Sequence, residues 1–195
     1  MTAAAHHDEA QARAVDRLCE LTSIGAGHAA GALATLLARP IEMGLPAARL
    51  LEAGDRGAEL AARLGCEARE GTGVLFDVVG GLGGTLALLL TPASRGALLR
   101  MLLGESAGAP LQAESALREV GNILASHALS AIGELLGVVV LPSPPQLALV
   151  DGTGAFAAGV AERAGERPVL CIEVELFDRG DVLRALLVWA PEAIA

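Results

Sequence analysis

The feature that most constrains the fold is an internal repeat. The stretch DRLCELTSIGAGH (16–28) matches SALREVGNILASH (115–127) at an offset of 99 positions in a chain of 195 residues. The same offset aligns further residues downstream: Pro46 with Pro145, Leu88 with Leu187 and Pro92 with Pro191. A shared helical period could produce similarity within two helices, but it cannot align distant prolines and a hairpin. The sequence therefore predicts two equivalent units in a pseudo-twofold arrangement.

Apolar periodicity predicts the same order of elements in both halves. The expected elements are helices over 8–38, 55–65, 93–103 and 112–137, strands over 45–51 and 145–150, hairpins over 73–90 and 168–190, a linker at GESAGAP, and a glycine-rich loop with a short helix after residue 151. Repeated helices before mostly antiparallel strands indicate an α+β fold. We expect a single domain, 1–195, in which α-β-β-β-type repeats of about 16–92 and 115–191 share one sheet beneath two long equivalent helices.

Composition excludes several classes of function. The net charge is −9 and the isoelectric point about 4.9, so the basic surface needed for nucleic acid or anionic membranes is missing. Three separate cysteines without a CxxC pair indicate neither a zinc site nor a disulfide framework. The polar N-terminal stretch has no apolar signal-peptide core, and prolines break the longest apolar runs. We expect a soluble cytoplasmic protein with reduced thiols.

A polar stripe follows the second long helix. At about 100° per residue, Ser115, Glu119, Asn122 and Ser126 lie within roughly 60° of one another. The opposite side is apolar and is expected to pack on the sheet: Leu117, Val120, Leu124, Ala128, Ala131 and Leu135. The first helix has an equivalent stripe: Asp16, Glu20, Ser23 and Gly27. Polar outer faces are ordinary on surface helices, so the stripe alone does not establish a site.

Two unfavourable residues make this stripe more informative. Asn122 and its neighbour Gly121 are both poor helix formers in the middle of an Ala- and Leu-rich helix. Their presence suggests selection for something other than helix stability. Small residues around the two stripes would also let a partner approach the backbone: Gly25, Ala26, Gly27, Ala125 and Ser126.

These two helices resemble the paired signature helices of the CheC/CheX/FliY family, phosphatases of chemotaxis response regulators, and are most similar to its CheC members. The family signature is Asp or Ser, three residues, Glu, two residues, Asn and an apolar residue. Ser115, Glu119, Asn122 and Ile123 match it fully. The resemblance extends from about residue 10 to residue 191 and includes the duplication.

The resemblance implies hydrolysis of the aspartyl phosphate of a CheY-like receiver domain. Asn122 would orient the attacking water, and Glu119 would form a salt bridge with a lysine of the receiver. Ser115, Ile123 and Ser126 would support the partner-facing surface. The receiver would supply Mg²⁺, so this chain would need no metal or cofactor of its own. CheC members also associate with the deamidase CheD, but no residue in this sequence identifies that partner.

The first helix departs from the signature, because Ser23 occupies the position of the Asn. A hydroxyl is shorter than a carboxamide, so we expect Asp16, Glu20 and Ser23 to form a degenerate second site. The alternative function is a non-catalytic module that binds a receiver or CheD. We interpret His28 and His127 as buried or half-buried structural residues, and Trp189 and the three phenylalanines as core.

Overall fold

The computed structural model describes residues 3–67, 69–180 and 182–192. The helices are α1 (Ala3–Leu37), α2 (Arg56–Leu64), α3 (Pro92–Leu103), α4 (Pro110–Leu136), α5 (Gly152–Ala164) and a 3₁₀ helix (Gly104–Gly108). The strands are β1 (Ile41–Met43), β2 (Ala47–Leu51), β3 (Thr72–Gly80), β4 (Gly84–Leu90), β5 (Val140–Pro142), β6 (Gln146–Ala148), β7 (Val169–Asp178) and β8 (Arg184–Pro191). In these three ranges no helix is both long and apolar enough to cross a membrane.

The described strands form one eight-stranded sheet in which every pairing is antiparallel. Its order is β1-β7-β8-β4-β3-β5, with β2 also paired to β7 and β6 also paired to β3. At the centre, β4 lies beside β8, and Leu88 is opposite Leu187, its own counterpart in the repeat. A residue can face its own counterpart only at a pseudo-twofold axis. The duplicated α+β fold predicted from the sequence is confirmed.

The first strands of each half complete the hairpin of the other half. β1 and β2 pair with β7, whereas β5 and β6 pair with β3. The equivalence is close, because β1 (Ile41–Met43) and β5 (Val140–Pro142) differ by the offset of 99 at both ends. Each half therefore satisfies part of its backbone hydrogen bonding through the other half, which ties the two into one sheet.

Helices cover both faces of this sheet. The long helices α1 and α4, together with α3, pack on one face against a core that includes Phe76, Leu88 and Trp189. The shorter α2 and α5 pack on the other face, against Leu89 and Val188. Strands that are buried on both faces can be apolar at every position, which explains the uninterrupted run of apolar residues from Leu86 to Leu90 in β4.

Several element boundaries differ from the prediction. The segment after residue 151, expected to be mostly loop, is the 13-residue helix α5. Its glycines permit close packing, since a Cβ at Gly152 would overlap the backbone of Gly73. Phe156 and Val160, four residues apart, bury one side of α5. The expected linker also contains the 3₁₀ helix and Pro110, which begins α4.

Gly121 has a structural explanation that the sequence does not show. A Cβ at this position would lie 2.5 Å from Cγ1 and 2.9 Å from Cβ of Val74 in β3. The absence of a side chain therefore lets α4 lie directly on the sheet. Gly25 acts similarly between the long helices, where a Cβ would lie 3.0 Å from the carbonyl oxygen of Ala128. Helix packing thus explains Gly121 and Gly25, and our interpretation of both as signs of a partner site was wrong.

This contact predicts opposite effects for two Gly→Ala substitutions in the long helices. Gly121→Ala should destabilise the protein by about 1–3 kcal/mol, because the added methyl forces α4 away from β3. The matched control is Gly31→Ala in α1, where a Cβ meets nothing within 4 Å. That control should stabilise the protein by about 0.4–1 kcal/mol. Urea unfolding of both variants measures the two values, and a stabilising Gly121→Ala would contradict the packing described here.

Candidate functional site

The helix α4 holds the candidate site on a rigid support. Pro110 occupies the first helical turn, where its missing N–H costs no hydrogen bond. Gly137 ends the helix in a left-handed conformation, with φ of 68°, and its N–H bonds the carbonyl oxygens of Gly133 and Glu134. Between these ends, Leu117, Val120 and Leu124 are buried against the sheet. This burial fixes the rotation of the helix and hence the direction of its outer face.

The predicted polar stripe lies on that outer face. Ser115 and Glu119 are exposed, and Asn122, Ile123 and Ser126 are half-buried. Within the described part of the chain, the side chains of Glu119 and Asn122 make no hydrogen bond or ion pair with other residues. Their polar groups are therefore available to a molecule that approaches α4 from solvent.

The first helix presents the same arrangement with different chemistry. Asp16 and Glu20 are exposed and Ser23 and Ile24 half-buried, as are their counterparts Ser115, Glu119, Asn122 and Ile123. The structure thus brings each predicted set together on one helix face. The Ser23 face differs from the Asn122 face in its side chains and not in its position on the fold.

Three expectations about these helices need correction. His28 and His127 are exposed instead of buried. Each follows its stripe glutamate by eight residues, which places it only about 80° from that glutamate. Leu135 is 56% exposed although its angle matches the buried stripe. It lies in the last turn of α4, where the angle alone does not ensure a covering neighbour.

Two buried ionisable groups with raised pKa values, Cys171 and Glu173, lie on the other side of the sheet. Burial raises the pKa of Cys171 to about 12, and the nearby Glu173 carboxylate adds to this effect. Burial also raises the pKa of Glu173, and Arg63 and Arg49 oppose that shift. Cys171 belongs to the core beneath α2 and α5, on the face opposite α4. These groups are structural and cannot meet a partner at the polar stripe.

Two further side chains share the outer face of α4, and the signature does not single them out. Arg118 precedes Asn122 by one turn, and Leu111, which is 83% exposed, precedes it by three. At about 100° per residue they lie roughly 40° and 20° from Asn122. Their spacings of four and eleven residues from Asn122 are the sequence signal that would have identified them. No cluster of three or more His, Cys, Asp or Glu that could hold a metal occurs among the residues described.

Comparison with known proteins agrees with this geometry. The model of the CheC-like family matches residues 113–148, which include the polar stripe. The CheY-P phosphatase CheC of Bacillus subtilis (strain 168) is 31% identical over 173 residues, which cover 85% of this chain and 80% of the relative. This chain belongs to the CheC-like family.

Solved structures show the same fold. FliY of Thermotoga maritima aligns with a TM-score of 0.68 and 22% identity, covering 90% of this chain and 88% of that one. CheX of Borrelia burgdorferi, in a complex with CheY, BeF₃ and Mg²⁺, aligns with a TM-score of 0.57 and 17% identity, covering 87% and 96% of the two chains. At these identities the likeness establishes the fold alone, and the residues of α4 must support any function.

The side chains of Glu119 and Asn122 have no partners within the described chain, so we predict that this polar stripe does not stabilise the protein. Asn122→Ala should raise the free energy of unfolding by a few tenths of a kcal/mol, about 0.3–0.7, because Ala is the better helix former. Urea unfolding of the purified variant gives this value. A loss of more than about 1 kcal/mol, the usual cost of removing a buried hydrogen-bond partner, would instead assign Asn122 a structural role.

Proposed function

We propose that this chain hydrolyses the aspartyl phosphate of a CheY-like receiver domain. The observation that carries the proposal is the complete Ser115, Glu119, Asn122 and Ile123 signature on the outer face of α4, with the polar groups of Glu119 and Asn122 unpaired within the described chain. The similarity to the CheY-P phosphatase CheC supports the same substrate class. The protein would act in a cytoplasmic, chemotaxis-type two-component pathway.

Asn122 is the residue that positions the nucleophile. Its carboxamide can accept a hydrogen bond from a water molecule and donate another, and it has no charge to repel phosphoryl oxygens. The water attacks phosphorus in line with the P–O bond to the receiver aspartate. That bond breaks, the aspartate leaves as a carboxylate, and inorganic phosphate is released. Phosphoryl transfer depends mainly on such positioning and on electrostatics, so no covalent intermediate on this chain is required.

Glu119 orients the complex. It lies one turn before Asn122, is exposed, and can form a salt bridge with a lysine beside the receiver's phosphoryl group. Ser115, Ile123 and Ser126 extend the contact surface along α4. The Mg²⁺ belongs to the receiver substrate, and this chain is proposed to contribute side chains only.

The Ser23 face is proposed to be a weak or silent copy. Glu20 is placed to make the same salt bridge as Glu119, because both are exposed at equivalent positions. The Ser23 hydroxyl cannot extend as far from the helix as the Asn122 carboxamide. A receiver docked on α1 would therefore lack the group that holds the water. CheD remains a further partner predicted from the family resemblance alone.

The decisive test measures loss of phosphate from Mg²⁺-loaded, phosphorylated receivers. Wild type should accelerate hydrolysis of one receiver, and Asn122→Ala should reduce that acceleration by about 100-fold or more through lost positioning of water. Ser23→Ala, a truncation at the equivalent position of α1, is the matched control and should leave the rate unchanged. Ser23→Asn should increase the rate by restoring the signature.

Binding of the same receivers separates catalysis from docking. Asn122→Ala should still bind a beryllofluoride-loaded receiver with an affinity near that of wild type. If wild type binds a receiver but never accelerates its dephosphorylation, the protein is a non-catalytic receiver-binding module and the phosphatase proposal is wrong.

A further inference from the structure

Arg118 is a cation one helical turn before the proposed water-positioning residue on α4. Its side chain is 42% exposed, and its Nη1 donates a hydrogen bond of 2.9 Å to the carbonyl oxygen of Pro145. Its Nη2 lies 4.0 Å from Oε2 of Glu114, one turn earlier on α4. The guanidinium is therefore tethered on the loop side of α4 instead of moving freely in solvent.

The position of Arg118 suits contact with a group bound at Asn122. The two residues are separated by four positions, so their backbones are about 6 Å apart along the helix axis. A guanidinium has five N–H donors in a planar fork that matches carboxylate and phosphate oxygens. The bond to Pro145 uses one of them. Donors thus remain for an anionic group that meets Asn122.

The excess of negative charge around the polar stripe suggests a role for the positive charge of Arg118. The chain has a net charge of −9, and Arg118 is its sole basic residue between positions 111 and 126. Glu114 and Glu119 would both repel a phosphoryl dianion that approaches α4. A cation beside Asn122 offsets that repulsion where the phosphoryl group must lie.

The repeat provides an internal comparison. The counterpart of Arg118 is Cys19, at the offset of 99, and Cys19 precedes Ser23 as Arg118 precedes Asn122. The half-buried Cys19 thiol carries no positive charge and no donor fork. The face with the Asn therefore also has the Arg, and the face without the Asn lacks it. Since both helices have the same place in the fold, helix packing does not require an arginine at this position.

We propose that Arg118 donates hydrogen bonds to the phosphoryl oxygens of the receiver's aspartyl phosphate and stabilises the charge that they carry in the transition state. This inference rests on the proposed function and assigns a further catalytic residue to it. The tether to Pro145 and Glu114 orients the guanidinium before the receiver docks. Bond making and breaking are unchanged, because Arg118 transfers no proton and only binds oxygens of the group that moves.

The test compares turnover with affinity for Arg118→Ala. We expect kcat for the phosphorylated receiver to fall by about 100-fold or more, as for a lost oxyanion-hole donor. The Kd for the beryllofluoride-loaded receiver should stay within threefold of wild type. Arg118→Lys should recover part of the lost kcat, because it restores the charge but not the fork. Arg17→Ala, which removes an exposed arginine of α1, is the matched control and should change neither quantity.

A pair of substitutions in α1 gives a second measurement, which a purely structural role of Arg118 would leave unchanged. Cys19→Arg should have no effect alone, but it should increase the rate when combined with Ser23→Asn. The inference is overturned if Arg118→Ala retains the full kcat of an active wild type. It is equally overturned if only the Kd rises, since Arg118 would then serve docking alone. An inactive wild type would instead refute the proposed function itself. Should Arg118→Ala fail to fold, the Arg118→Lys and Cys19→Arg variants decide the matter.

Discussion

The close contact between α4 and β3 at Gly121 determines what the rest of the molecule can present to a partner. Because a Cβ there would lie 2.5 Å from Val74, any side chain would lift or rotate the helix. With Gly121 in place, the apolar stripe through Leu117 and Leu124 is buried, and the polar stripe must face solvent. Gly121, which takes no part in the proposed chemistry, therefore determines the direction in which the Glu119 and Asn122 side chains point. A rigid support would matter for the proposed hydrolysis, because catalysis by a positioned water is sensitive to small displacements.

The duplication explains how one fold can keep a face with the complete signature and a changed face together. The pairing of Leu88 with Leu187 places the halves around a pseudo-twofold axis, and exchanged strands make each half depend on the other. Losing the α1 half would remove β1 and β2 from the sheet, so that half persists even if its face no longer turns over substrate. Asn122 and Arg118 on one face, with Ser23 and Cys19 on the other, are consistent with such divergence.

The sequence predicted much of this arrangement, for identifiable physical reasons. Repeated prolines, hairpin turns and the helical period are local signals, and they were sufficient for the duplicated α+β fold and for the polar face of α4. Contacts between distant segments were not predictable. Gly121 and Gly152 looked like breakers because Val74 and Gly73, which they touch, lie far away in the sequence. His127 was expected to be buried or half-buried, but its angle of about 80° from Glu119 places it on the exposed side of the helix. Arg118 is not part of the family signature, so the signature does not point to it.

The catalytic role proposed for Asn122 is tested most directly by the rate at which a phosphorylated receiver loses phosphate with Asn122→Ser, which gives α4 the side chain found on α1. The substitution keeps a polar group at this position but shortens its reach. We expect the rate to fall close to that of the receiver alone, while the variant still binds the receiver. A variant as active as wild type would contradict it, because Asn122 would then not be the residue that holds the attacking water.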